Sequence, residues 1–114
     1  MISLKYFVSN SERQGTCYHE FYKGKWDGTT FWKENSIFLH DDTLLACNGF
    51  TEAIAAVIQS YTPLDVTEVS SDQWMEIGKI IEEKDQNTKA LYQEAAKWTD
   101  ITFESYDRFT ILGI

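Results

Sequence analysis

The sequence has 114 residues, of which 43% are apolar and 15% are aromatic, and it carries a net charge of −8. This length fits one domain, and the share of apolar residues is enough for a packed core, which argues against intrinsic disorder. The excess of negative charge argues against nucleic-acid binding, because a surface that binds phosphates needs clustered Lys and Arg. We therefore expect residues 1–114 to form a single folded domain.

Nothing in the sequence indicates a secretion signal or a membrane anchor. The N-terminal residues alternate between apolar and polar and are too short for the apolar core of a signal peptide. The best apolar run, residues 53–58, is far shorter than a bilayer span. Cys17 and Cys47 are expected to be reduced rather than bridged. We expect a cytoplasmic protein that does not contact a membrane.

The first forty residues are predicted to form β-structure. Residues 2–8 and 17–22 alternate in the period of half-buried strands. The pair Asp27-Gly28 is typical of a type I′ hairpin turn, which needs positive φ at its central residues. Residues 30–39 are therefore predicted to pair back on the preceding strand. The expected result is a three-strand antiparallel meander.

The pattern then changes to a helical period. Apolar residues recur at helical spacing over residues 50–61, and the single proline ends this helix. Asn48-Gly49 is predicted to form the turn before it, with Thr51 as its N-cap. Residues 64–69 are predicted to form a short strand.

Residues 71–98 are predicted to form two helices rather than one. Apolar residues spaced by seven would fit one long helix, but Lys84 and Thr88 interrupt the apolar seam. The residues between them are poor helix formers with good capping chemistry. We expect helices over roughly 71–84 and 88–98, and a single long helix is the alternative.

Two further signals complete the predicted fold. Ser70 and Gln73 have the spacing of a capping box at the start of the first of these helices. The apolar residues 108–114 are predicted to form a strand inserted in the sheet. The predicted order is β-β-β-α-β-α-α-β, an α+β fold in which helices cover one face of a mainly antiparallel sheet.

Among the patterns that could indicate an enzyme, the cysteines and histidines give the strongest signal. Their spacing, however, is not that of zinc ligands. Cys17 with His19, and His40 with Cys47, match none of the common arrangements of zinc ligands. A catalytic pair of Cys47 and His40 would need an activated thiolate, whereas Cys47 lies in an apolar run that favours a buried thiol. We predict no catalytic residue, no metal and no cofactor.

The negative charge is concentrated in the last two-thirds of the sequence. Residues 1–40 hold five basic and four acidic side chains, a net of +1, whereas residues 41–114 hold five basic and fourteen acidic ones, a net of −9. A surface of one sign attracts a partner of the opposite sign; the alternative is that this charge only keeps the domain soluble. The acidic residues predicted to contact a partner are Asp41, Asp42, Asp65, Glu68, Asp72, Glu76, Glu82, Glu83 and Asp85.

A binding surface also needs a large apolar or aromatic side chain among the charges. Trp26 is the predicted anchor, with Tyr22 and Trp32 beside it in the predicted hairpin. The alternative is that at least two of these three side chains belong to the core.

The combination of small size, acidity and α+β architecture resembles that of the immunity proteins that neutralise bacterial toxins, many of which are basic nucleases. The resemblance extends over the whole chain, and no residue motif carries it. It implies tight one-to-one binding that covers or distorts the active site of a toxin. We therefore expect a non-catalytic, monomeric protein with a basic protein partner. The alternatives are a small-ligand-binding or regulatory domain, as a monomer or a dimer, and an enzyme of unrecognised type.

Overall fold

A computed structural model describes residues 6–113. Residues 1–5 of the predicted first strand, and residue 114 of the predicted last strand, lie outside these described residues. The predicted α+β class is confirmed, with one antiparallel sheet and helices packed on one of its faces. The elements are β1 (Phe7–Val8), β2 (Tyr18–Lys23), β3 (Ile37–His40), α1 (Asp41–Ala46), α2 (Asn48–Val57), β4 (Val66–Ser70), α3 (Ser71–Ile81), α4 (Gln86–Thr102) and β5 (Arg108–Leu112).

The strands lie in the order β1-β3-β2-β5-β4, and every neighbouring pair is antiparallel. The predicted meander is wrong in its order, because β3 lies between β1 and β2. This arrangement pairs Phe7 with Leu39 and brings the ring of Phe7 within 5.1 Å of that of Phe21. The apolar segment near the C-terminus does enter the sheet as predicted, since β5 lies between β2 and β4.

Aromatic side chains join the sheet to the helices on one side, which we call the helix face. The rings of Phe21 on β2 and Phe109 on β5 stack 5.6 Å apart. Phe50 from α2 lies 6.5 Å from Phe21, while Trp74 from α3 and Trp98 from α4 lie 5.1 Å and 5.9 Å from Phe109. The helices α2, α3 and α4 therefore each contribute a large ring to one continuous core, and burial of this aromatic area stabilises the fold.

The predicted tight hairpin at Asp27-Gly28 is wrong. Gly28 does have a positive φ of 88°, but residues 24–36 form a long loop instead of a two-residue turn. The reason is local hydrogen bonding, since the carboxylate of Asp27 accepts from the amides of Thr29 at 2.9 Å and Thr30 at 2.8 Å. Such a side-chain turn competes with the strand ladder that a hairpin requires.

The loop of residues 24–36 covers the second side of the sheet, which we call the loop face. Glu20, only 2% exposed, accepts hydrogen bonds from the amides of Trp32 at 2.7 Å and Lys33 at 3.1 Å, and from the hydroxyl of Ser36 at 2.6 Å. The ring of Trp32 packs 5.7 Å from that of Phe38. A buried carboxylate that accepts three hydrogen bonds can hold the loop against the sheet. The helices cover one face of the sheet, and this loop covers the other.

One short helix was not predicted, and it changes the start of the next one. His40 precedes α1, and its Nδ1 accepts from the amide of Asp42 at 3.1 Å; histidine is not among the usual capping residues. The predicted turn and N-cap of α2 are wrong. Asn48 and Thr51 lie inside this helix, and Cys47 is the N-cap residue without a capping side-chain bond.

The prediction of two helices over residues 71–98 is confirmed. Asp85 separates them, because its carboxylate accepts from the amide of Thr88 at 3.2 Å and from the hydroxyl at 2.7 Å and so begins α4. The second helix continues to Thr102, four residues beyond the predicted end. Across residues 6–113, each helix falls short of the length and apolar character that crossing a membrane requires.

Candidate protein-binding surface

β4 lies at one edge of the sheet and leads directly into α3. Ser70 ends the strand and caps the helix, with its hydroxyl accepting from the amide of Gln73 at 3.2 Å. The side chain of Gln73 accepts in return from the amide of Ser70 at 2.9 Å, which confirms the predicted capping box. Glu68 and Arg108 line a surface cavity of about 260 Å³ with these two residues. The edge of the sheet and the start of α3 therefore form one continuous surface.

Acidic side chains follow this edge and the exposed side of α3. Residues 65–83 hold six acidic residues and one basic residue, Lys79. All six are exposed, and at 1.5 Å per residue those at the two ends of α3 are about 15 Å apart along its axis. We call this set the acidic β4–α3 surface, and it consists of Asp65, Glu68, Asp72, Glu76, Glu82 and Glu83.

Three carboxylates in α3 and at its C-terminal end have no neutralising partner among the described residues. Glu68 bonds to the guanidinium of Arg108 at 2.7 Å, and Glu76 lies 3.9 Å from Lys79. Within residues 6–113, no ion pair involves Asp72, Glu82 or Glu83, which lie in α3 and at its C-terminal end. Exposed carboxylates of this kind keep their charge available to an incoming partner.

A groove of about 390 Å³ between α3 and α4 lies beside these carboxylates. Met75 and Tyr92 provide its apolar lining, and Glu82, Lys79 and Lys89 also border it. Met75 is 58% exposed. The groove therefore offers an apolar contact with charged side chains of both signs at its border.

The position of Tyr92 is fixed by α3. Its ring stacks 4.5 Å from that of Trp74, and its hydroxyl donates to the carbonyl oxygen of Trp74 at 3.2 Å. Burial, together with the negative charges of Asp100 and Glu82, raises the pKa of Tyr92 to about 12. The hydroxyl therefore stays protonated and continues to donate at any physiological pH.

Three other predicted contact residues lie outside this surface. Asp41 is held by His19, with Oδ1 2.8 Å from Nε2. Asp85 caps α4, and the hydrogen bonds from Thr88 lower the pKa of its carboxyl. Asp42 is exposed on α1. Two of the three thus have structural roles that explain their presence without a partner.

The predicted aromatic anchor is not part of the acidic surface either. Trp26 is half-buried, with its ring 5.2 Å from that of Phe31 and its Nε1 donating to the carbonyl of Thr30 at 2.6 Å. It belongs to the loop on the loop face, whereas α3 packs on the helix face. Trp32 is also half-buried and Tyr22 is buried.

Sequence reasoning missed Met75 and Tyr92, which line the groove. The signal for Met75 was present, because it is an apolar residue outside the buried helical stripe of Trp74, Ile77 and Ile81. No comparable signal marks Tyr92, whose position depends on the packing of two helices.

The residues considered for metal or thiol chemistry do not meet. Cys47 is buried and lines a cavity of about 400 Å³, but neither His19 nor His40 lines it, and Cys17 is exposed. Burial, with the nearby charge of Asp85, raises the pKa of the Cys47 thiol. Among residues 6–113, no group of three or more potential ligands is arranged to hold a metal ion.

Comparisons with protein-family models, curated proteins and solved structures found no match. The function is therefore argued from the geometry and charge of the described residues.

Proposed function

We propose that this chain is a non-catalytic protein-binding domain with a basic partner, and most specifically a neutraliser of a basic toxin domain in the cytoplasm. One observation carries the proposal: the groove lined by Met75 and Tyr92 has Glu82 at its border, and Asp72 and Glu83 are exposed carboxylates of the same helix and its C-terminal end. The chain acts as a monomer, in a one-to-one complex.

The two parts of this surface have different physical roles. Exposed carboxylates attract a basic protein over several ångströms and increase its association rate. Met75 and Tyr92 supply the apolar contact that, once water is excluded, slows dissociation. A surface with both parts is suited to binding that is both fast and tight.

A nuclease is the toxin class that the charge pattern favours. The active site of a nuclease attracts a polyanion, and a row of carboxylates along one helix can take the place of successive phosphates there. The acidic row of α3 extends over about 15 Å from Asp72 to Glu82. Binding in this mode would cover the active site of the toxin.

A non-catalytic role is supported by the state of the groups that catalysis would need. Nδ1 of His40 accepts from the amide of Asp42 and is therefore occupied as a helix cap. The raised pKa of the Cys47 thiol reduces the fraction of reactive thiolate.

The proposal is tested by affinity capture from the native host with immobilised wild-type chain and with a charge-reversed variant. This variant carries Asp72→Lys, Glu82→Lys and Glu83→Lys. We expect the wild-type chain to retain a basic protein that elutes as salt is raised, and the variant to lose it. Growth of cells that express the captured protein then shows whether the chain protects against toxicity.

A matched control reverses charge elsewhere, with Glu34→Lys and Glu104→Lys at exposed positions. This control should capture the same basic protein as the wild type. Equal capture by the charge-reversed variant, or retention that does not depend on salt, would count against the acidic β4–α3 surface as the binding site.

A further inference from the structure

A small cavity lies on the loop face of the sheet and shares no lining residue with the groove between α3 and α4, although the amide of Gly113 at its border donates to the carbonyl oxygen of Asp65 at 3.0 Å. Its volume is about 140 Å³, and three aromatic side chains, Tyr18, Phe31 and Trp32, form walls around it. Glu20 and Leu112 line it as well. It is smaller than the roughly 300–1,000 Å³ of a pocket for a drug-sized ligand, so it suits a head group of a few atoms.

Glu20 is the acidic residue among those that line this cavity. Within residues 6–113 no ion pair involves Glu20. Two basic side chains lie over aromatic rings: the ammonium of Lys33 is 5.2 Å from the centroid of the Tyr22 ring, and the guanidinium of Arg13 is 3.9 Å from that of Trp32, one of the walls of the cavity. Arg13 does not line the cavity. A buried, charged carboxylate without a counter-ion favours the entry of a positive group.

One oxygen of this carboxylate still has room for a donor. Oε2 accepts two hydrogen bonds, from the amide of Lys33 and the hydroxyl of Ser36, whereas Oε1 accepts one, from the amide of Trp32. An ionised carboxylate oxygen can accept two. An ammonium N–H donor in the cavity would therefore complete the shell of Oε1.

The backbone at the cavity is strained. Trp32 has a φ of 60°, the single positive value at a non-glycine residue among those described. A bulky residue adopts this conformation only when its surroundings hold it there, and such strain concentrates at ligand sites. Phe31 beside it is 50% exposed, so an aromatic wall is presented toward solvent rather than buried.

We propose that this cavity binds the head group of a small alkylammonium ion. The aromatic walls attract a cation through their π-systems, and the carboxylate of Glu20 neutralises it. The site is separate from the proposed protein-binding surface, because it lies on the loop face and that surface lies along β4 and α3. Failure of one proposal leaves the other standing.

The test is an NMR titration of the chain with choline and with n-butylammonium. The amides of Trp32 and Lys33 report binding directly, since both donate to Glu20. We expect saturable shifts of these amides with at least one of the two ions. The uncharged carbon analogue of choline, in which a quaternary carbon replaces nitrogen, should cause none. Equal shifts with this analogue, or no shift with either ion at millimolar concentration, would overturn the proposal.

Two variants test the walls and the charge. Phe31→Ala removes an exposed wall and should weaken binding by about threefold or more. Tyr106→Ala is the matched control, because Tyr106 is also an exposed aromatic residue and does not line the cavity. Glu20→Gln removes the charge and should abolish binding; retained affinity in a folded Glu20→Gln protein would contradict the role of the carboxylate. If this variant does not fold, the Phe31→Ala variant and the neutral analogue of choline still test whether the cavity binds a cation.

A lysine side chain on a protein could supply the same ammonium group as a free amine. A blocked Gly-Lys-Gly peptide separates the two sources when it is titrated in the same way. Binding of n-butylammonium without the peptide supports a free amine, and binding of both supports a lysine side chain. If n-butylammonium, the peptide and choline all leave the amide shifts unchanged, the proposed site is wrong.

Discussion

The ring and hydroxyl of Tyr92 occupy the space in which a Cβ atom on Gly78 would lie. Glycine inside a helix usually destabilises it by about 0.5–1 kcal/mol relative to alanine. Here its absent side chain lets α4 approach α3, so that Tyr92 reaches the carbonyl of Trp74 and lines the groove. The glycine is thus part of what shapes the candidate binding surface.

This relationship predicts that Gly78→Ala destabilises the protein, although alanine is the better helix former. We expect a loss of about 1–3 kcal/mol in the free energy of unfolding, because overpacking forces side chains or backbone to shift. In a Tyr92→Ala background the same substitution should be neutral or stabilise by up to about 1 kcal/mol. Urea denaturation of the four proteins measures the coupling. The same effect in both backgrounds would show that the two residues do not interact.

The capping box at the start of α3 predicts a difference between two adjacent serines. Ser70→Ala removes the acceptor for the Gln73 amide and should destabilise the protein by about 1 kcal/mol. Ser71→Ala is the control, since Ser71 is exposed and makes no cap bond; it should stay within about 0.5 kcal/mol. Denaturation midpoints compare the two. An equal loss in both variants would contradict the assignment of Ser70 as the cap.

The two cysteines should differ in their reactivity toward a thiol reagent. Cys17 is exposed, whereas Cys47 is buried with a raised pKa, so less of its thiolate is present and access is limited. At about pH 8 we expect Cys47 to react at least about tenfold more slowly than Cys17. Cys17→Ser and Cys47→Ser isolate each thiol. Rapid labelling of Cys47 would contradict the expected low reactivity of its thiol and would support a nucleophilic role for this residue.

The loop of residues 24–36 should lose stability in acid through Asp27. Hydrogen bonds from Thr30, and then from Thr29, lower the pKa of the Asp27 carboxyl from 3.8 to about 2. Because the folded state favours the ionised form, this contribution is fully present above the unfolded pKa of about 3.8–3.9. It is lost as the pH falls toward 2, when the carboxylate gains a proton.

The measurement is thermal unfolding of the wild type and Asp27→Asn over this range. The difference between them should shrink as the pH falls from about 4 to about 2, because Asn cannot ionise. Glu104→Gln serves as the control, since this exposed side chain has no hydrogen-bond partner among residues 6–113. A difference that stays constant with pH would mean that the Asp27 turn does not stabilise the fold through its charge.

Local signals in the sequence predicted α3 and α4 well, whereas α1 and the loop on the loop face were not predicted. The start of α3 depends on Ser70 and Gln73, which are three residues apart, and that information is contiguous in the chain. The path of residues 24–36 depends instead on Glu20, which lies on β2 and binds the amide of Trp32 across the loop. The positive φ of Trp32 has no sequence signature, because it results from that distant contact. The position of β3 between β1 and β2 is likewise a non-local outcome.

In the candidate site too, some features follow from local sequence patterns and others depend on contacts between distant residues. The sequence predicts Asp72, Glu76 and Glu83 on the exposed face of a single helix, and all three are exposed. The groove was not predicted, because it requires Tyr92 on a second helix to pack against α3. The predicted choice of Trp26 rested on the abundance of aromatic residues in one segment, and the sheet between that loop and the helices separates it from the acidic row.

The proposed division of roles within the binding surface predicts opposite kinetic effects from two kinds of substitution. With the captured basic partner, reversing Glu82 and Glu83 to Lys should lower the association rate by about tenfold at low salt and remove most of its salt dependence. Met75→Ala leaves the charge unchanged and removes an apolar contact, so it should raise the dissociation rate while the association rate stays within about twofold. Leu64→Ala is the matched control, because Leu64 is 77% exposed and lies outside the groove. Surface-based kinetics over a salt series measure both rates. If Met75→Ala and Leu64→Ala have equal effects, the groove does not anchor the partner, even where the charge reversals behave as expected.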